Sequence, residues 1–193
     1  EYTIGKAHFK FETTQNKRIL DVEMMKKKMP IEAHFTMDMM ENHENMTTIL
    51  PFKNKPTRFF MTTKQNCMPC EGYVTFGNDK WSFSKNDTFA TLDWGRVNTP
   101  YKLVWYWGNA STYLTGKDGK KHPFGFEITW GIGDESNATE TALFYDGKLH
   151  KFGSIDVKHF VKNRYMEEWE FESEDGRFNL TLTPTLDHHS DLN

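Results

Sequence analysis

Short stretches in which apolar and polar residues alternate recur along most of this chain. In the clearest one, apolar residues occupy every second position from Ile31 to Met39, and polar residues lie between them. A period of two is typical of a β-strand with one buried face and one face toward water. The same pattern predicts strands over 7–11 and 20–24, and we expect Pro30 to end the second of these.

Further strands follow, several of them joined by tight turns. We predict them over 46–50, 58–63, 73–76, 80–84, 88–94, 101–113, 124–130, 140–145, 169–172 and 178–183. Turn residues with the required backbone freedom stand at Gly77-Asn78-Asp79, Asp118-Gly119, Asp146-Gly147 and Asp175-Gly176. We expect strand 88–94 to pair with strand 101–113. Many short strands without a helical pattern indicate an antiparallel meander.

A long meander must protect its edges, either by closing into a barrel or by folding into two packed sheets. Bulky aromatic residues on one face of several strands favour a wall around an apolar cavity. We therefore predict an all-β fold, in which the meander forms a lipocalin-like barrel or a strongly curved sheet. A two-sheet sandwich is the alternative. The length of 193 residues fits a single β-barrel-like domain over 1–193, which we expect to be part of a longer protein.

The composition agrees with strands and argues against several partners. Aromatic residues, which favour strands, make up 15% of the chain. A net charge of -3 without a basic stripe argues against a nucleic-acid partner. No apolar run approaches the ~20 residues of a membrane-spanning helix, so we expect no transmembrane segment. The oligomeric state and the localisation stay open, with the cytoplasm slightly favoured.

Two cysteines, Cys67 and Cys70, stand in the pattern CMPC. This spacing suits a redox pair or half of a zinc site, but the residues that follow it have strand character and the chain has no other cysteine. We interpret both as small buried thiols beside a turn, and we expect no cofactor and no metal. Four histidines lie on predicted polar faces or turns, where we expect surface positions: His34, His122, His150 and His159.

The stretch LDWGRVNTPYKLVWYWGNAS, residues 92–111, mixes ionic groups with aromatic rings. Asp93 and Arg96 lie among apolar residues, where a charged group must be paired or must serve a ligand. In one interpretation both are structural: Asp93 caps a turn, and Arg96 pairs with Asp134 or Glu140. In the other, Asp93 is a general acid or base in a dry pocket, and Arg96 orients a ligand.

The tryptophans of this stretch also allow two interpretations. Alternation places Trp105 and Trp107 on one face, where the rings either fill the interior or line a cavity that takes a sugar, a lipid or a polyene. Our candidate catalytic residues are Asp93 and Glu140, a carboxylate pair that would also suit a glycosidase. Our candidate ligand-binding residues are Trp94, Arg96, Tyr101, Trp105, Trp107 and Asp134.

Five stretches resemble an uncharacterised family, the domain of unknown function two-eight-zero-four. They are QNCMPCEG (65–72), LDWGR (92–96), YKLVWYWGNAS (101–111), GIGDESNATETALFYDGKLHK (131–151) and DGRFNLTLTP (175–184). The resemblance implies a longer parent chain. It also implies a more distant kinship with lipocalin-like carotenoid hydratases and AttH-type proteins, which handle apolar molecules in barrel pockets.

The chain departs from the family pattern in two places. Val97, Asn98 and Thr99 stand where the family has Gly and Trp, which changes the expected shape of that loop. Asp187 is followed by His188 and His189 where the family tends to have Arg, so a salt bridge expected from the resemblance is lost.

Three functional hypotheses follow. The first is binding of an apolar or amphipathic small molecule, with the chain acting as a cofactor-independent hydratase, isomerase or cyclase. The alternatives are a carbohydrate-binding or carbohydrate-active domain, and a purely structural module. A deep apolar cavity at Asp93, Arg96, Trp105 and Glu140 would support the first hypothesis, an open groove with exposed rings the second, and a filled interior the third.

Overall fold

The computed structural model describes residues 1–158 and 164–190, and every strand pairing among them is antiparallel. The strands form an eight-stranded, a four-stranded and a three-stranded sheet, each of them open. The predicted all-β antiparallel fold is confirmed. Its curved-sheet form agrees with the described strands, whereas none of these sheets closes into a barrel. The position predicted for His159 lies outside the described residues.

The largest sheet is built on one long strand, β6 (Lys55–Phe76). Its other members are β1 (Tyr2–Ile4), β2 (Ala7–Thr13), β3 (Lys17–Lys26), β4 (Met29–Asp38), β5 (Met46–Phe52), β7 (Asp79–Phe83) and β8 (Phe89–Val97). β4 and β7 flank the C-terminal half of β6. β5 and β8 flank its N-terminal half. The two halves of β6 therefore pair with different neighbouring strands.

The two halves of β6 meet at an irregularity between Gln65 and Met68 in its pairing with β8. Cys67 has a φ of 61° there, which a residue other than glycine rarely adopts. A bulge of this kind bends a strand and increases its twist without ending it. The sequence suggested a turn at this point. In the structure the chain continues as a strand, so the segments predicted as separate strands over 58–63 and 73–76 both belong to β6. Cys67 and Cys70 are buried free thiols, as predicted.

The turn before β4 lies earlier in the chain than the sequence predicted. Lys27 and Lys28 have positive φ angles of 51° and 68° and form the turn. Pro30 lies one residue inside β4, opposite Met25 of β3, so the prediction that Pro30 ends a strand is wrong. A proline is tolerated at this position because it is close to the beginning of its strand.

The two smaller sheets follow in chain order. The four-stranded sheet holds β9 (Tyr106–Thr115), β10 (Lys121–Trp130), β11 (Ala142–Tyr145) and β12 (Lys148–Lys151). The three-stranded sheet holds β13 (Ile155–Lys158), β14 (Trp169–Ser173) and β15 (Asn179–Leu182). β8 pairs with β6, whereas β9 pairs with β10, so the predicted pairing of strand 88–94 with strand 101–113 is wrong. The stretch 92–111 instead crosses from the first sheet to the second.

Two apolar clusters hold the three sheets together. The first joins the eight-stranded sheet to the four-stranded sheet and contains Met46, Cys67, Ala142 and Phe144. The second joins the four-stranded sheet to the three-stranded sheet and contains Ile128, Phe152, Phe171 and Phe178. β10 therefore lies between two layers, and residues on both of its faces are buried.

Asn66, which is fully buried beside the bulge, fixes the contact between the first two sheets. Its Nδ2 donates hydrogen bonds to the carbonyl oxygens of Ala110 in β9, at 3.2 Å, and Phe126 in β10, at 3.1 Å. Its Oδ1 accepts hydrogen bonds from the hydroxyls of Thr91, at 2.6 Å, and Ser111, at 2.8 Å. One amide thus connects β6 with β8, β9 and β10.

Gly125 permits the close approach of β10 to this amide. A Cβ atom at Gly125 would lie 2.3 Å from the carbonyl oxygen of Ala110 and 2.5 Å from the sulfur of Cys67. Both distances are too short for any side chain, so the position requires glycine.

The outer part of the largest sheet is a single amphipathic layer. Register places one apolar row across five strands: Phe9, Val22, Ala33, Val74 and Trp81. The row beside it, on the opposite face, is polar: Lys10, Asp21, His34, Tyr73 and Ser82. Within the described chain, no residue before Met46 is fully buried. The described residues also include no helix long and apolar enough to cross a membrane.

Candidate functional site

A cleft of about 300 Å³ opens where the first two sheets meet. Paired positions on β6 and β8 form one wall, because Thr62 lies opposite Gly95 and Lys64 lies opposite Asp93. The connection into β9 and the segment before β11 supply the other wall. The complete lining is Phe60, Thr62, Lys64, Asp93, Gly95, Val97, Trp105, Trp107, Ile132 and Glu140.

Lys64 lies at the centre of this site. Its side chain is only 3% exposed. Its Nζ lies 3.1 Å from Asp93 Oδ2, 3.4 Å from Glu140 Oε1 and 3.9 Å from Glu127 Oε2. The same ammonium lies 4.7 Å from the centroid of the Trp107 ring. A buried ammonium is tolerated only with such partners, because removing it from water costs several kcal/mol.

Glu127 is the most deeply placed carboxylate of the cluster. It is fully buried in β10 and accepts hydrogen bonds from Trp107 Nε1, at 2.7 Å, and Asn109 Nδ2, at 3.4 Å. Burial raises the pKa of Glu127 to about 7, against the opposing effects of Lys64 and the two hydrogen bonds. A carboxyl group that gains and loses a proton near neutral pH therefore adjoins the cleft.

Glu140 brings a second buried carboxylate, and it lines the cleft directly. Its side chain is 1% exposed, and burial raises its pKa although Lys64 and the hydroxyls of Thr129 and Thr62 lower it. Lys64 Nζ lies within ion-pair distance, but no described residue completes an aligned hydrogen bond to Glu140 Oε1. One buried acceptor at the cleft wall is therefore incompletely satisfied.

Asp93 occupies the mouth of the cleft, with a side chain that is 47% exposed. It accepts hydrogen bonds from Thr62 Oγ1 at 3.2 Å and from Lys64 Nζ at 3.1 Å. The dry surroundings that the sequence suggested for Asp93 belong instead to Glu127 and Glu140. Its catalytic role stays a prediction.

Some predicted site residues converge on the cleft. Asp93, Glu140, Trp105 and Trp107 all line it. The rings of Trp105 and Trp107 are about half exposed, so they form open walls and do not fill an interior. Trp107 also fixes Glu127 through its indole N–H.

Four other predicted ligand-binding residues lie away from the cleft. Trp94 and Arg96 project from the opposite face of β8, where the guanidinium lies 6.0 Å from the indole centroid. Tyr101 is 98% exposed in the connecting segment. Asp134 accepts a hydrogen bond from the backbone N–H of Ser136 at 3.2 Å, and Ser136 lowers the pKa of Asp134.

The ion pair predicted for a structural Arg96, with Asp134 or Glu140, is not found among the described residues, and Glu140 pairs with Lys64 instead. The reason is the direction of the Arg96 side chain, since alternate residues of a strand project to opposite faces.

Sequence reasoning missed Lys64 and Glu127. Glu127 alternates with apolar residues in β10, a pattern that does not distinguish a face toward water from a face covered by a second sheet. Lys64 belongs to the polar run Thr62 to Asn66, which lacks the alternation of an exposed strand. The missing alternation was the available signal, because a strand covered on both faces has no water-facing side.

A second, apolar cleft of about 230 Å³ lies beside the first. Trp107 borders both clefts. Tyr106 stacks on Trp130 near it, with ring centroids 4.9 Å apart. The remaining lining is Gly108, Asn109, Phe126, Ile128, Trp130, Trp169, Phe171, Leu180 and Leu182. The apolar surface of the second cleft thus begins beside the ionic cluster and continues around the edge strand β9.

Residues 1–158 and 164–190 contain no group of three His, Cys, Asp or Glu side chains arranged to hold a metal. The cation at the centre of the three carboxylates is the Lys64 ammonium. Comparison with known proteins gives one finding: the model of a domain of unknown function (DUF2804) matches residues 1–193. No curated protein and no solved structure matches the chain.

Proposed function

This chain belongs to the DUF2804 family, a domain of unknown function, and we propose that the cleft between its first two sheets binds an amphipathic small molecule. The observation that carries the proposal is a buried ionic cluster at the floor of an open cleft with aromatic walls. Polar groups concentrated within apolar walls are the usual composition of a small-molecule site.

The walls suit the apolar part of such a ligand. Phe60, Val97 and Ile132 present carbon surface around the ionic floor, and Trp105 and Trp107 add half-exposed rings. Covering this surface would contribute roughly 25 cal/mol for each Å² removed from water. The ionic floor would then fix the orientation of the ligand.

The same floor supports proton transfer without a cofactor. In a hydration, Glu140 would donate its proton to one carbon of an alkene while water attacks the other carbon. The attacking water would lose a proton to Asp93, so the net change is the addition of one water molecule. Proton return from Asp93 to Glu140 would pass through Lys64, which contacts both. Isomerisation or cyclisation would use the same acid and base.

An open cleft is the criterion that the sequence set for a carbohydrate ligand, which is the second candidate. The carbon surface of Phe60, Val97 and Ile132 around the ionic floor keeps an amphipathic ligand first. Trp105 and Trp107 are about half exposed beside Asp93 and Glu140, so the cleft is an open groove with accessible rings. Indole rings stack on the apolar faces of sugars, and carboxylates accept hydrogen bonds from hydroxyls.

Native mass spectrometry of the protein purified from cells tests the proposal. We expect a co-purifying amphipathic molecule whose occupancy falls in Asp93→Asn, while circular dichroism shows an intact fold. The matched control is Asp134→Asn, because that carboxylate lies outside the cleft. A bound sugar would support the second candidate, and an occupancy equal in all three proteins would refute a ligand in this cleft.

A further inference from the structure

We propose that the ligand of this cleft carries an ammonium group on a short apolar body. The inference rests on the proposed function, because it assumes that the cleft binds a small molecule. It is carried by the charge balance of the site, an incompletely satisfied buried acceptor and the aromatic rings above them.

The charge balance leaves negative charge uncompensated. Among the described residues, Asp93, Glu127 and Glu140 share one ammonium within ion-pair distance, that of Lys64, and Lys151 acts on Glu140 from farther away. With all groups ionised the cluster carries two surplus negative charges, and protonation of Glu127 or of Glu140, whose pKa values burial raises, removes one charge each. Two of these carboxylates are almost completely buried, where water screens their repulsion poorly. A second cation in the cleft would relieve that repulsion.

Two carboxylates at the cleft wall, those of Asp93 and Glu140, offer acceptor oxygens to a ligand. Glu140 Oε1 receives no aligned hydrogen bond from the described residues, although the side chain is 1% exposed. Asp93 presents its half-exposed carboxylate at the mouth of the same cleft. An ammonium supplies donors and positive charge together. An alcohol supplies a donor alone, and a carboxylate ligand would be repelled.

The rings complete the recognition of a cation. Lys64 Nζ lies 4.7 Å from the centroid of Trp107, so that ring already contacts an ammonium, and Trp105 is the ring left for a second cation. Trp105 borders the same space and is about half exposed. The alkyl part of an amine would then lie against Val97 and Ile132.

The size of the cleft limits the apolar body. A volume of about 300 Å³ is at the lower end of the range of roughly 300–1,000 Å³ found for ligand pockets. A short-chain or single-ring amine fits this space better than a long lipid. The ligand class is therefore a small amphipathic amine.

Isothermal titration calorimetry of the full chain, at about pH 8, with three six-carbon probes tests this inference. Hexylamine, which is protonated at that pH, is compared with hexan-1-ol and hexanoate. We expect hexylamine to bind at least about tenfold more tightly than hexan-1-ol, which corresponds to ~1.4 kcal/mol, and hexanoate to bind more weakly still.

Two variants identify the carboxylates. Glu140→Gln and Asp93→Asn should each weaken hexylamine binding about tenfold and weaken hexan-1-ol binding by a much smaller factor, because the alcohol loses a hydrogen bond but no charge attraction. Asp134→Asn is the control that should alter neither. Asp93→Asn keeps the test decisive if Glu140→Gln unfolds, because Asp93 is half exposed and its loss leaves the buried core intact.

The outcomes separate the inference from the proposal beneath it. Equal or tighter binding of hexan-1-ol or hexanoate would overturn the ammonium inference while supporting a small-molecule site. Hexylamine binding that is indifferent to Asp93→Asn and Glu140→Gln would also overturn it. If none of the probes binds and no molecule co-purifies, both the inference and the proposed function fail.

Discussion

The ammonium of Lys64 lies 3.4 Å from a carboxylate oxygen of Glu140, and both side chains are almost completely removed from solvent. Lys64 lies in β6 of the first sheet, and Glu140 lies two residues before β11, in the segment that leads into the second sheet. Their ion pair therefore bridges the sheet interface at the floor of the cleft. The charge state of the site and the contact between the sheets depend on the same atoms.

Replacing Lys64 with methionine should destabilise the protein strongly. Lys64→Met removes the ammonium from among three carboxylates and leaves Glu127 and Glu140 buried without their cation. Breaking a buried pair in this way typically costs about 3–5 kcal/mol. Urea unfolding of both proteins measures the change. Lys10→Met is the control, because water screens the exposed pair of Lys10 with Glu12 and its loss should change stability little. A loss in Lys64→Met no greater than in the control would contradict the expectation.

Glu127 should make the free energy of unfolding depend on pH. Its pKa in the folded protein is about 7, above the ordinary value of 4.5, so the folded state retains a proton that the unfolded chain releases between these pH values. The free energy of unfolding should therefore fall as the pH rises through this window, by at most about 3 kcal/mol, and should level off above it.

Denaturant unfolding at several pH values checks this contribution. Glu127→Gln cannot titrate, so its profile should lack the part of the decline that Glu127 causes. Taking the difference between the two profiles removes the contribution of other groups, such as His122, whose pKa is raised by Asp118. Parallel profiles across the window would show that Glu127 does not titrate there.

Two glycines offer a matched test of the sheet contact. In Gly125→Ala the new Cβ would lie 2.3 Å from the carbonyl oxygen of Ala110 in β9 and 2.5 Å from the sulfur of Cys67 in β6, so β10 must move away from both strands. We expect a loss of about 2 kcal/mol or more in thermal or urea unfolding. Gly108→Ala, on the neighbouring strand, meets nothing within 4 Å and should be neutral or slightly stabilising. Equal effects at both positions would argue against a tight contact at Gly125.

Asn66 should be among the most sensitive polar positions. Asn66→Ala leaves the part-buried carbonyl oxygens of Ala110 and Phe126 without this donor. Each unsatisfied buried group costs about 1–3 kcal/mol, so we expect a loss of at least ~3 kcal/mol in guanidinium unfolding. Asn137→Ala is the control, since Asn137 is exposed and bonds only its neighbour Ser136 among the described residues. A loss in Asn66→Ala below ~1 kcal/mol would show that water replaces the amide.

The strands and turns were largely predictable from the sequence because they depend on neighbouring residues. Alternation located β2, β3 and β4, and the Asp-Gly pairs located the turns after β9, β11 and β14. The partner of β8 was not predictable in this way. Its pairing with β6 joins residues about thirty positions apart, and no local pattern specifies which of several strands it meets.

The site was predictable only in part, for a related reason. Asp93, Trp105, Trp107 and Glu140 were found because ionic and aromatic residues are unusual neighbours, and all four line the cleft. Glu127 was not found, because a polar residue opposite an apolar face has the same pattern whether it meets water or a second sheet. The face of β8 that carries Arg96 was not predictable either, since it depends on which side the second sheet covers.

The amphipathic outer layer of the largest sheet has a consequence for local unfolding. Its strands β1 to β4 hold hydrogen bonds between neighbours but no fully buried residue, whereas β10 is buried on both faces. Backbone amides should therefore exchange with deuterium much faster in β1 to β3 than in β10, through openings that leave the rest folded. β6 runs from the exposed outer layer to the buried contact between the sheets. The protection of its backbone amides from exchange should therefore rise from its C-terminal end toward the bulge.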